Sequence, residues 1–189
     1  MKMCGLGIAL FVVIIQLCYA QDSKAIPETG LLSFEKYTNV FFGFSLPLPP
    51  NPDLQIADLP PIAHWHRLFG LGQERSHTAF VISARQMGDY EARQLMSLYP
   101  KIRIGGQEFT EEISEPKKND APSVWGARYL TLINTYLVEF EVRSLDRSMA
   151  KDLERCVERT TFFDPARARE IAGAQGKPYN PLAQSLSKH

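Results

Sequence analysis

Cysteine is scarce in this 189-residue chain, and its placement makes it scarcer still. Of three cysteines, Cys4 and Cys18 fall in an N-terminal stretch that reads as a secretory leader, so only Cys156 is expected in the mature protein. An intramolecular disulfide is thereby excluded, and an exported domain without one has to be held by its apolar core. An excess of charge of either sign is missing too: 21 basic residues balance 21 acidic ones, and losing Lys2 with the leader tips the balance only slightly acidic. Without a basic stripe, nucleic acid and an anionic membrane face are excluded as main partners. No second long hydrophobic run follows the leader, so no transmembrane segment is expected in the mature chain. The nucleophile elbow, the zincin helix motif, the phosphate loop and the paired-cysteine redox motif are all absent. No catalytic residue and no cofactor is therefore assigned, and a non-enzymatic role is expected.

What is present begins with the leader itself. Lys2 supplies a charged start, Leu6 to Ile15 an apolar run too short to span a bilayer as a helix, and Ala20 a small residue before the polar Gln21-Asp22-Ser23-Lys24. Cleavage after Ala20 would release the protein to a periplasm or beyond the cell. The remainder divides into a flexible arm over 21–35, one α+β domain over 36–173 and a disordered tail over 174–189, where Gly176, Pro178 and Pro181 leave little to bury.

Within the domain, Tyr37 to Leu46 is rich in aromatic and β-branched residues and contains Gly43, which predicts a strand or strand pair ended by Pro47, Pro49 and Pro50. Ala63 to Phe69 and His77 to Met87 read as a hairpin around the turn Gly70 to Ser76. Asp89 is the expected cap of a helix through Ala92, Met96 and Tyr99 that stops before Pro100. Gln107 to Ile113 is a weaker strand, and Glu115 to Pro122 an exposed turn. Between Val124 and Arg143 the pattern predicts two strands around Asn134-Thr135, with Val138, Phe140 and Val142 on one face and Glu139, Glu141 and Arg143 on the other. Met149, Leu153, Cys156, Val157 and Thr160 then recur at helical spacing after the capping candidates Ser144 and Asp146. Cys156 lies on the buried stripe of that helix, where a thiol acts as a small hydrophobe. Asp164-Pro165 predicts a further short helix, Ala166 to Ala172.

Candidate site residues are few. His64 and His66 share a face if their segment is a strand, and a hairpin register that brings His77 beside them would place three imidazoles around zinc or copper. A slip of one residue would send His77 to the other face. Glu108, Glu111, Glu112 and Glu115 lack the glycine bend and spacing of a calcium loop and read as a charged edge strand. Gly70-Leu71-Gly72 lacks the third glycine of a dinucleotide fingerprint. The candidate partner surface is the proline-rich loop, with Pro49, Pro50 and Asn51, together with Trp65 on the adjacent strand.

The order of elements resembles the PsbP-like family. The likeness rests on Tyr37-Thr38-Asn39, Gly43-Phe44-Ser45 and Pro47, then a hairpin and a helix, and finally Tyr136-Leu137-Val138-Glu139-Phe140 running through Ser144-Leu145-Asp146 into a helix ended by Phe162-Phe163. It covers roughly residues 36 to 163. Relatives in that family include the extrinsic photosystem II protein, a Ran-binding nuclear-import protein and exported bacterial proteins of the DcrB and LpqN kind. The resemblance implies an antiparallel β-sheet sandwiched by helices (α/β/α) that binds or assembles and does not catalyse. Pro49-Pro50-Asn51-Pro52 departs from the family by opening a longer loop. The expected function is therefore an exported binding or accessory module of the bacterial envelope, with a protein or envelope component as partner. The alternatives are a metal-binding protein or metal-dependent enzyme built on His64, His66 and His77, and a binder of small lipophilic ligands.

Overall fold

In a computed structural model the described residues are 30–57, 62–116, 123–165 and 177–178. They form an α+β fold with two antiparallel sheets and two helices. The strands are β1 (Leu31–Leu32), β2 (Lys36–Asn39), β3 (Phe44–Pro47), β4 (Gln55–Ile56), β5 (His66–Gln73), β6 (Thr78–Gln86), β7 (Lys101–Ile104), β8 (Gln107–Ser114), β9 (Trp125–Ile133), β10 (Tyr136–Ser144), β11 (Thr161–Phe162) and β12 (Lys177–Pro178). Helix α1 is Asp89–Met96 and helix α2 is Arg147–Glu158. The large sheet runs β4-β5-β6-β10-β9-β8-β7, and the small one β11-β3-β2-β1-β12.

The β9–β10 hairpin is the spine of the large sheet. Asn134 and Thr135 form its two-residue turn with φ of 49° and 65°, the left-handed pair that matches the twist of the flanking strands. The alternation that follows sorts side chains onto two faces. Tyr136, Val138, Phe140 and Val142 join Ala150, Leu153, Cys156 and Val157 of α2 in one core. The small sheet closes that same core: Phe44 of β3 is buried there, its ring 5.2 Å from that of Phe140. On the opposite face, Leu137 and Leu130 pack with Met87, Ala92 and Met96 under α1. The helices therefore clad opposite faces of the large sheet, an arrangement the resemblance implies, and the second sheet is an addition that shares one face with α2. Emptying a position such as Phe140 by truncation to Ala would cost about 3–5 kcal/mol.

Local chemistry explains the joints. Asp146 caps α2, its Oδ1 accepting from the amides of Ser148 (2.8 Å) and Met149 (3.2 Å). Gly43, at φ 67°, turns β2 into β3 and passes so close to the Phe163 carbonyl that a Cβ would collide with it.

Several expectations are corrected. Asp89 is not the cap of α1 but its first residue; Gly88 holds the cap position, and the Asp89 carboxylate pairs with Arg93 at 3.1 Å. Gly70 and Gly72 lie inside β5, opposite Val81 and Ala79, and the hairpin turn is the later Glu74 to His77. Lys101–Ile104 forms an edge strand that the sequence does not signal. Leu31–Leu32, expected in the flexible arm, and Lys177–Pro178, expected in the tail, pair with each other as strands. The leader, most of the Glu115 to Pro122 turn and the Ala166 to Ala172 helix lie outside the described residues.

Candidate functional site

The three histidines do not meet. His64, at φ 68°, sits in the turn between Ile62 and Trp65; His66 opens β5 opposite Ala84; His77, at φ 45°, precedes Thr78 at the other end of the hairpin. From Thr78 to Ala84 the strand covers about 20 Å at the usual rise per residue, far beyond the ~2 Å of an imidazole–metal bond. Among the described residues no group of three His, Cys, Asp or Glu is placed to hold a metal ion. The metal reading fails because the glycines taken for a turn are strand residues.

Trp65 and the proline-rich loop are likewise separated. Trp65 is half-buried beside the α1 cluster, with the Arg85 guanidinium 5.3 Å above its ring. The loop instead leads into β4, which pairs with Leu71 and Gly72 at the other end of β5. There Asn51 anchors the loop: its Oδ1 accepts from the Asp53 amide at 2.9 Å, and its amide nitrogen donates to the Met149 sulfur of α2 at 3.4 Å. Pro49 is half-buried and Pro50 exposed. Cys156 is buried, and burial pushes its thiol pKa up, with Arg159 opposing and Asp152 adding.

Beside the loop the structure opens a cleft of about 890 Å³, between Pro52 to Ala57 on one side and the β5–β6 turn on the other. Asp53, Gln55, Gln73, Glu74, Arg75 and His77 supply its polar groups, and Pro52, Ile56, Ala57 and Ala79 an apolar share of similar size. The turn is braced from behind. Ser76 Oγ donates to Gln73 Oε1 and shares a hydrogen with Thr78 Oγ1 at 2.6 Å; Thr78 Oγ1 in turn meets Ser144 Oγ at 2.7 Å. Ser144 Oγ accepts from the Asp146 amide at 2.9 Å. A chain of hydroxyls thus ties the cleft wall to the cap of α2.

A second feature, on the α1 face of the large sheet, has no signal in the sequence. Arg67, Ser83, Glu139, Leu130, Thr110 and Lys101 lie on one cross-strand row over six strands. Arg67 Nη1 donates to Ser83 Oγ at 3.0 Å. Arg128, on the adjacent row, stands 3.4 Å from Glu139 and 3.3 Å from Glu112 through Nε, close enough to pair but out of line for a hydrogen bond. Burial lifts the Glu139 carboxyl above the usual carboxylate range, Arg128 opposes this, Glu141 adds to it, and Arg67 and Arg143 oppose it. The row is invisible in sequence because a bulge between Arg67 and Phe69 resets which β5 residues face α1.

No helix among the described residues is long and apolar enough to cross a membrane. No protein-family profile matches the sequence, and no curated protein matches it. Among solved structures, a protein from Bacteroides thetaiotaomicron VPI-5482 is similar with 12% identity and a TM-score of 0.45 over 70% of this chain and 50% of that one. The chain thus spans about half the length of that protein. LpqN, described as involved in cell envelope biogenesis of Mycobacterium tuberculosis, is similar with 13% identity and a TM-score of 0.40 over 61% of this chain and 87% of its own.

Proposed function

We propose that this protein is an exported binding or accessory module of the cell envelope, which acts by contact and not by catalysis, through the cleft between the Pro52 to Ala57 segment and the β5–β6 turn. The observation that carries the reading is the construction of that cleft. A broad concavity of about 890 Å³ with mixed polar and apolar walls is framed by a loop pinned to α2 and by a turn pinned through hydroxyls to the same helix, which presents a preformed surface. Export is supported by the leader pattern from Lys2 to Ala20. The partner is a protein or another envelope component with polar groups to match Asp53, Glu74 and Arg75.

Cross-linking in intact cells, followed by recovery of the tagged protein, tests this. Reversing the turn charges with Glu74→Lys and Arg75→Glu, both exposed, should abolish the cross-linked partner while leaving the unfolding midpoint unchanged. Undiminished cross-linking would refute the cleft as the contact surface.

A further inference from the structure

A smaller concavity of about 360 Å³ lies on the α1 side of the large sheet, diagonally across from the cleft. Arg93 and Met96 of α1, Lys101 of β7, Gln107, Glu108 and Thr110 of β8 and Leu132 of β9 are among the residues that line it. Thr110 is the informative residue. It is fully buried, and its hydroxyl has no hydrogen-bond partner among the described residues, an arrangement that costs stability unless something pairs with the group. Its polar neighbours are satisfied: Gln107 Nε2 donates to Thr131 Oγ1 at 3.0 Å, and Thr131 Oγ1 donates to the Glu108 carbonyl at 2.8 Å.

The cations beside it have capacity to spare. Lys101, directly across from Thr110 on the neighbouring strand, gives one of its three donors to Glu108 at 3.0 Å. Arg93 engages Asp89 through Nε alone among the described residues, which leaves its terminal nitrogens. Glu108, itself in the lining, is held by Lys101 and has Arg103 opposite it on the edge strand, so its charge is offset from two sides.

We propose that this pocket binds a small organic carboxylate with a short apolar body. The carboxylate accepts from Lys101, Arg93 and the Thr110 hydroxyl, and the hydrocarbon lies against Met96 and Leu132. Because the hydroxyl is sealed from solvent, entry requires the long side chains at the mouth to swing aside. The volume falls at the lower end of the roughly 300–1,000 Å³ of ligand pockets, which limits the body to a few carbons.

The test is a titration of the leader-cleaved protein with sodium butyrate, sodium phosphate and butanol, read by amide chemical shifts. Butyrate should give saturable shifts at Lys101, Thr110 and Leu132, with phosphate weaker and butanol silent. Thr110→Val should weaken butyrate about tenfold, the size expected for one hydrogen bond to a charged group, while its unfolding midpoint stays level or rises. Lys101→Gln should weaken butyrate similarly. Absence of saturation, equal response to butanol or phosphate, or undiminished binding by Thr110→Val would overturn the proposal.

Discussion

Thr78 and Ser144, 66 positions apart in the chain, share a buried hydroxyl–hydroxyl hydrogen bond of 2.7 Å. Through it the wall of the cleft and the start of α2 are one mechanical unit. Ser144→Ala strands the Thr78 hydroxyl on that side and removes the acceptor of the Asp146 amide. It should lower stability by about 1–3 kcal/mol in urea unfolding. Adding Thr78→Val should cost less than the sum of the two single changes, because the unpaired hydroxyl goes too. Strict additivity would mean that the two groups are not coupled.

Thr135 holds a left-handed backbone, φ 65°, that a β-branched residue adopts only under strain. Thr135→Gly keeps the turn with Asn134 and removes the strain, so stability should rise by roughly 0.5–1 kcal/mol after the entropy cost of glycine. The backbone carbonyl that accepts from the Met87 amide at 3.2 Å is retained. Chemical denaturation of both proteins measures the difference, and a loss of stability would contradict the strain argument.

The same hairpin shows what was legible in the sequence. Val138, Phe140 and Val142 announce a strand by alternation, and Met149, Leu153, Cys156 and Val157 announce a helix by spacing; both are where the pattern puts them. Periodicity is strong there because each element buries one full face. It fails where pairing is set from outside. Leu31–Leu32 and Lys177–Pro178 are two residues each and have no period of their own, so their partnership depends on β2 having an open edge. Gly72 resembles a turn residue, yet it serves a strand: an added Cβ would press to 3.3 Å from Ala57. Reading Gly70 and Gly72 as the turn shifts the hairpin and draws His77 toward His66, whereas both glycines lie within β5. The Arg67 to Lys101 row was unreadable for a related reason, since it is assembled by register across six strands.

Glu139 carries a pH signature. Its folded carboxyl titrates above its unfolded value because burial outweighs the pull of Arg128. The proton is thus held more tightly in the folded state, and the associated stability is present in full below the unfolded carboxylate range and lost as pH rises through the raised folded value. Glu154 is shifted in the same direction, chiefly by burial with Glu111 and Glu158 adding, so it contributes to the same slope. Glu139→Gln should flatten the fall in stability as pH rises above 4.5, the ordinary carboxyl value, without removing it. An unchanged slope in pH-dependent unfolding would contradict the burial argument.

Cys156 is 8% exposed on the buried side of α2, with its thiol held protonated by burial. A disulfide-exchange reagent at mildly alkaline pH should modify it about as slowly as the protein opens, and rapidly in denaturant. Fast labelling of the native protein would place the thiol in an open site.

Leu31 pairs with Pro178 and Leu32 with Lys177 across nearly the whole length of the chain. A translocation motor or protease tugging upstream of the first pair or downstream of the second would load the same short seam. With only two residue pairs to hold it, that seam should part before the load reaches the aromatic interior.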